Sequence, residues 1–548
     1  MRPRLKELND NPYLAMTKIS EALNQYTGIC KEAMMTSVAK LSKSFDFSIP
    51  ITTRSKTQTT PKNEKRLICP KKYGFRLIIR PKKCTFGPII RPKKCAFKLI
   101  IRPKKCAFGL IIRPKKCNMK RKIYKRMLDW KSSRYRKPLI LRGARQVGKT
   151  WLMKEFGKNE YTNMIYANFD LDERLRGLFD ADYDIHRILT VLQALTGVVP
   201  QPHKTLIILD EIQEVNRGLG VLKYFCENAP EYHVMVAGSL LGIALHPGTS
   251  FPVGKVDMID VYPMDYEEFL WATGNEPLAN ILHNPDWQLM SALKTKYIDL
   301  LRQYYYVGGM PEVVACYANE NNLHKVRQKQ LDILTAYTND VSKHAPKQEV
   351  QRILMVLNSI PSQLAKENKK FIYGMLKKGA RAADYELAIQ WLIDCGILLK
   401  VPRVKKAGMP LKFYEDLSSF KLFFLDLGLL AALSEAPAEL MLVGNTAFEE
   451  FKGMFTEQYV LQQMVAKGNL HIYYWSSERS DGELDFIIQK GVGIIPIEVK
   501  AEENVKAKSL HRFVMANPGI KGIRLSMSDY RDQSWMENIP LYAMLYGM

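Results

Sequence analysis

What the chain is missing narrows it first. No run of about 18 apolar residues occurs, which excludes a membrane-spanning helix of the usual kind. The first residues lack the short apolar core and small-residue cleavage site of a secretory signal. Beyond position 118 only three cysteines are left, Cys226, Cys316 and Cys395, too few for a disulfide framework and suited to a reducing cytoplasm. The nine histidines are dispersed, with no metal-ligand spacing and no nucleophile pair. A soluble, cytoplasmic protein with no membrane partner is expected.

Acid is also scarce in one part of the chain. Residues 1–130 hold 33 Lys and Arg against 7 Asp and Glu, whereas the other 418 residues hold 48 of each. The net charge of +26 therefore belongs to the leader, and so does any argument from basicity toward nucleic acid. Within that leader an 11-residue unit recurs: LIIRPKKCTFG from Leu77, PIIRPKKCAFK from Pro88, LIIRPKKCAFG from Leu99 and LIIRPKKCNMK from Leu110. Each copy has a proline and clustered bases but no acid, so neighbours repel and the short apolar run buries little. Residues 1–118 are expected to be a disordered basic extension. One Cys per unit, without a second Cys or a His nearby, is poor zinc spacing. The near-identity of the copies fits a tandem DNA repeat translated from an early start codon, with Met119 as the natural start. The alternative is a basic arm for phosphate backbones.

What is present from Met119 onward has the texture of folded protein. The length calls for two or three globular units. Apolar runs at 137–142, 163–169, 205–209, 233–237 and 256–262 alternate with helical patterns, which predicts an α/β domain with a parallel sheet. From about 287 to 404 the pattern is mostly helical. Strand-like runs return at 470–475, 484–488 and 493–499.

The first strand runs into Gly143-Ala144-Arg145-Gln146-Val147-Gly148-Lys149-Thr150, the spacing of a phosphate-binding loop. Its glycines let backbone N–H groups wrap phosphates, Lys149 neutralises the outer ones, and Thr150 offers a hydroxyl to Mg2+. In LIILDEIQ, from Leu206, an apolar strand delivers Asp210 for the metal shell and Glu211 to polarise water. Ser239, after a third strand, is the candidate sensor of the terminal phosphate, or else a helix cap. ATP and Mg2+ are the expected cofactors, with Lys149, Glu211 and Ser239 as catalytic residues.

With those motifs, and with FPVGKV and YPMDYEEFL (251–270), YYVGGMPEVV (305–314) and FLDLGLLAAL (424–433), the chain from about Met119 resembles a prokaryotic family of AAA+ ATPases that carry a C-terminal nuclease-like domain of unknown function. The resemblance implies a P-loop AAA+ core at 119–286 and a helical lid with a winged helix around 380–401, ending at 405. It further implies a PD-(D/E)xK nuclease-like domain at 406–548. No arginine finger or second sensor can be placed, and Lys255 stands where the family often carries Arg. A homo-oligomer whose neighbour supplies that group therefore stays an open alternative.

GELDFII (482–488) followed by IPIEVK supplies Asp485, Glu498 and Lys500 in the nuclease-like spacing. Glu498 and Lys500, two apart on a strand, share a face, and Asp485 from the adjacent strand could complete a Mg2+ site. Glu457, in FTEQYVLQQM, is a further candidate carboxylate. Two readings result. In one, ATP turnover controls a nuclease-like domain acting on DNA or RNA. In the other, a nucleotide-dependent switch binds a protein partner and the nuclease-like domain is an inactive scaffold.

Overall fold

The computed structural model describes residues 119–547 except 216, 239–250, 444–445, 469, 478–481 and 503–506, together with the backbone at 66–67 and 77–78. It forms two compact units, Met1–Lys115 and Lys116–Met548. In the first, only an antiparallel pairing of β1 (Arg66–Leu67) with β2 (Leu77–Ile78) is described. The expectation of disorder over 1–118 otherwise lies outside the described residues. Among the described residues, no helix is long and apolar enough to cross a membrane.

In the second unit, five strands form a wholly parallel sheet: β3 (Leu139–Arg142), β4 (Asn163–Asn168), β5 (Thr205–Asp210), β6 (His233–Ala237) and β7 (Asp257–Asp260). Their order is β4-β5-β6-β3-β7. Both faces are covered, and the period of two shows why the strands read as continuous apolar runs. Leu139, Leu141, Leu206 and Ile208 enter one core with helix α1 (Ile123–Ser132), through Met127 and Trp130, and helix α2 (Lys149–Glu160), through Leu152, Met153 and Phe156. Ile140, Ile207 and Leu209 enter another with α3 (Ile185–Thr196) and α4 (Val221–Asn228). The parallel α/β sheet expected from alternating strand and helix patterns is thus observed. It sits within one residue of expectation at most strand ends.

The helical middle begins with α5 (Tyr266–Ala272), α6 (Lys294–Val307) and α7 (Leu323–His344) and ends in α8 (Ala382–Asp394). A hairpin of β8 (Leu398–Val404) and β9 (Glu415–Phe424) follows. This hairpin belongs to an eight-stranded mixed sheet of order β14-β15-β13-β12-β11-β10-β8-β9, because β8 pairs in parallel with β10 (Ile472–Ser476). The boundary expected at 405/406 therefore falls in the loop of a hairpin whose two strands share one sheet. Strands β11 (Glu483–Lys490), β12 (Gly493–Val499), β13 (Gly522–Ser526), β14 (Arg531–Asp532) and β15 (Met536–Pro540) complete it.

Helix α9 (Leu427–Leu433) and the long α10 (Thr446–Lys467) join the mixed sheet to α5 and α6 through buried amides rather than through apolar contact alone. Gln458 pairs with both backbone groups of Phe424, and Gln462 accepts from Leu427 N. Gln463 accepts from Tyr266 N, at the start of α5, and both Gln462 and Gln463 donate to the Tyr304 hydroxyl. Each such amide removes an orphan backbone group from a dry interface, where leaving it unpaired would cost about 1–3 kcal/mol.

Candidate nucleotide site and a compensated carboxylate cluster

The phosphate-binding loop connects the C-terminal end of β3 to the first turn of α2. Gly148 is its pivot: it caps α2 in a left-handed conformation, φ +95°, which a side chain would strain. Gly143 serves closeness instead, since a Cβ there would collide with the Val261 carbonyl oxygen. Lys149 is buried and donates to the carbonyls of Gly143 and Ala144, both at 2.8 Å. Burial pushes its ammonium down to about 8, against the opposing pull of Glu211 and Asp210. The loop therefore places a desolvated cation among backbone groups.

Strand pairing brings the carboxylates to the same edge. Leu141 lies opposite Ala237, and Ala237 opposite Asp210, so β3, β6 and β5 end level with one another. The Thr150 hydroxyl donates to Asp210 Oδ2 at 2.9 Å, and the Tyr166 hydroxyl from β4 donates to the same oxygen at 2.8 Å. Asp210 Oδ1 is buried and has no hydrogen-bond partner. Burial also raises the Asp210 carboxyl above its usual range. An orphaned carboxylate oxygen beside a threonine hydroxyl at the mouth of a phosphate loop fits a hard cation such as Mg2+. Glu211, left-handed at φ +53°, caps the next turn, donates its N–H to Ala237 O at 2.8 Å and accepts from Gln213 Nε2 at 2.6 Å. Ser239 lies outside the described residues.

Three connections to the site, made by Tyr166, by Asp340 with Tyr337, and by Arg121, were invisible to motif reasoning. Tyr166 holds Asp210 as just described. On the far side of the loop, Arg145 Nη1 pairs with Asp340 Oδ1 of α7 at 2.7 Å, and the Tyr337 hydroxyl donates to Arg145 O at 3.0 Å. The third is Arg121, a buried side chain near the start of the described body, which reaches Val147 O at 3.1 Å. None of these contacts follows from local periodicity. A cavity of about 560 Å³ runs behind the loop between Gly143, Gly396, Lys400 and His471, away from Lys149.

The nuclease-like candidates also meet. Asp485 adjoins Phe486, which pairs with Ile497 of β12, and Asp485 Oδ2 accepts from Val499 N at 2.7 Å. Glu498 accepts from Lys500 Nζ at 2.8 Å and from Leu510 N at 3.1 Å. Glu457 Oε1 is held by Lys369 Nζ at 2.6 Å. Lys421, 1% exposed, pairs with Glu483 Oε1 at 2.5 Å, and Glu457, Glu483 and Asp485 all favour its charge. Burial first and Glu457 second hold the Asp485 carboxyl well above the carboxylate range. Lys369 and Lys421 were absent from the sequence reading because they lie outside the motif. Lys369, Lys421 and Lys500 pair with three of its four acids, Glu457, Glu483 and Glu498, in competition with any metal ion, and leave Glu457 Oε2 buried without a hydrogen-bond partner. Among the described residues no group of three His, Cys, Asp or Glu is placed to hold a metal ion.

The profile of the AAA domain matches residues 135–270, the segment that carries the parallel sheet and the loop. Two domains of unknown function match 298–440 (DUF8612) and 452–544 (DUF4143). The chain contains an ATPase-like P-loop domain followed by these two segments. A comparison with curated proteins finds no match. Among solved structures, the chain is similar to a Walker-type ATPase of Pyrococcus abyssi at 14% identity and TM-score 0.38, covering 59% of this chain and 98% of that one. It is also similar to the Aeropyrum pernix ORC1 protein in complex with DNA, at 16% identity and TM-score 0.23, covering 57% and 91%. Cdc6p from Pyrobaculum aerophilum matches at 11% identity and TM-score 0.23, covering 60% and 97%. Likenesses this slight carry no argument about function.

Proposed function

We propose that the protein is a Mg2+-dependent ATPase that uses nucleotide turnover on the 143–150 loop to shift its helical middle segment. The observation that carries this reading is the buried, unpartnered Asp210 Oδ1 beside the Thr150 hydroxyl and the desolvated Lys149. Thr150 and Asp210 would hold Mg2+, which when bound neutralises charge on the phosphates. Lys149 and the loop N–H groups bind the triphosphate, and Glu211 orients water. The Arg145 to Asp340 pair supplies a direct link from loop to α7. Ser239 is kept in this reading as the sensor of the terminal phosphate.

On this reading the C-terminal nuclease-like domain is what ATP turnover controls, and DNA or RNA is its first candidate target. One observation favours the second reading, a switch for a protein partner: Lys369 and Lys500 already hold Glu457 and Glu498, two of the three acids that phosphodiester cleavage would need. Magnesium-dependent phosphate release by the full chain, with and without DNA, tests both. Turnover that DNA stimulates supports the nucleic-acid reading. Turnover indifferent to DNA supports the protein switch, and no turnover at all overturns the ATPase reading.

A further inference from the structure

The residues just after Met119 lie outside the matched AAA segment, which begins at 135. They are nevertheless built into the phosphate loop. Arg121 is 8% exposed and uses its guanidinium on three acceptors. Nε donates to Glu268 Oε2 at 3.1 Å, Nη1 to Val147 O at 3.1 Å and Nη2 to Tyr262 O at 2.6 Å. Glu268 is itself fixed. It closes a capping box with Asp265 at the start of α5, and its Oε1 accepts from Lys122 N at 2.6 Å. Lys122 Nζ then lies 2.6 Å from Asp265 Oδ2 and 2.5 Å from Glu267 Oε2. The acidic run of YPMDYEEFL thus works as a clamp on residues 121–122.

The two carbonyls that Arg121 holds flank the two ends of the loop. Tyr262 follows Val261, whose carbonyl abuts Gly143, and Val147 precedes Gly148. In a planar trans peptide the C=O and the following N–H point to opposite sides. Holding the Val147 carbonyl toward Arg121 therefore turns the Gly148 N–H away from Arg121. The left-handed Gly148 continues that turn into α2.

We propose that Arg121 is a positioning residue of the nucleotide site, clamping the Val147 carbonyl so that the Gly148 N–H faces the phosphates. The role rests on the ATP reading above. A guanidinium is required because one planar fork must serve a carboxylate and two carbonyls from separate segments, which an ammonium cannot do in the same plane.

The test is the KM and kcat of ATP hydrolysis by the full chain, with melting temperature as a separate readout, for the parent, Arg121→Lys, the charge-balanced Arg121→Met/Glu268→Gln pair, and Lys120→Ala as a control in the same segment. Lys120 bonds only the exposed Glu276 and should keep the parental KM. The expected result is a KM about tenfold or more higher in both Arg121 variants, about what one lost charge-assisted hydrogen bond produces, even where the melting temperature stays near the parent's. Parental KM in folded Arg121→Lys and in the double variant would overturn the role while leaving the ATP reading intact. A parent that neither binds nor hydrolyses MgATP overturns the ATP reading itself, and the role with it.

Discussion

Arg145, in the phosphate loop, is bound to Asp340 of α7 by an ion pair of 2.7 Å, and Tyr337, one turn earlier on α7, donates to the Arg145 carbonyl. Arg145 therefore ties the candidate nucleotide loop to the helical middle. Asp340 also lies within the electrostatic field of Lys149 and Glu211. A triphosphate arriving on the loop would attract Arg145 and repel Asp340.

Asp340→Asn should bind MgATP about 2- to 5-fold more tightly than the parent, because the pair of half-exposed Arg145 with buried Asp340 contributes about 0.5–1 kcal/mol to the nucleotide-free arrangement. Equilibrium titration with a fluorescent ATP analogue measures this. Unchanged or weaker binding would show that the pair does not oppose nucleotide.

Asp210→Asn should separate metal from nucleotide. Thr150 and Tyr166 both donate to Oδ2, and the amide can keep only part of that arrangement. Turnover should fall about 100-fold or more, while binding of ATP in the presence of a chelator should change little. Binding with and without Mg2+ then reports the metal's share, and a variant still responsive to Mg2+ would argue that Asp210 is not in its shell.

Asp426, fully buried at the start of α9, accepts from Gly309 N at 2.6 Å, Leu429 N at 3.0 Å and Gln462 Nε2 at 3.1 Å. Burial pushes its carboxyl up to about 6 from 3.8. A raised carboxyl contributes stability that is fully present below about pH 4 and lost as pH rises through about 6. The parent should therefore lose about 2–3 kcal/mol across that window relative to Asp426→Asn, as read from urea unfolding at pH 4, 5, 6 and 7. A difference between the two proteins that is flat in pH would contradict this.

In the C-terminal cluster, Lys421→Met should cost about 3–5 kcal/mol, since it leaves Glu457, Glu483 and Asp485 without a shared buried cation. Chemical denaturation measures it. A loss under about 1 kcal/mol would mean that the cluster is far more hydrated than its burial implies.

The sequence made the parallel sheet legible because fully buried strands read as apolar runs. The loop was legible because Gly143, Gly148, Lys149 and Thr150 fall at fixed spacing within one short stretch of the chain. Strand β9, by contrast, was not read as a strand. Four of its first five residues, Glu415, Asp416, Ser418 and Ser419, are polar, and Lys421 interrupts the apolar run that follows. That lysine is buried only because α10 and β11 bring acids to it from far along the chain. Arg121, Tyr166 and Asp340 act at separations of 26 to 195 residues. Such contacts are set by tertiary packing and leave no local pattern. The spacing of Asp485, Glu498 and Lys500 was legible, but Lys369 and Lys421, which pair with neighbouring acids, were not.

The most direct measurement is steady-state phosphate release from ATP by the full chain, in Mg2+ and in a chelator, beside Lys149→Ala and Glu211→Gln. The account predicts Mg2+-dependent turnover that falls by about 100-fold or more in each variant, with ATP binding lost in Lys149→Ala and kept in Glu211→Gln. Turnover that survives Lys149→Ala, or a folded parent with none, would contradict it.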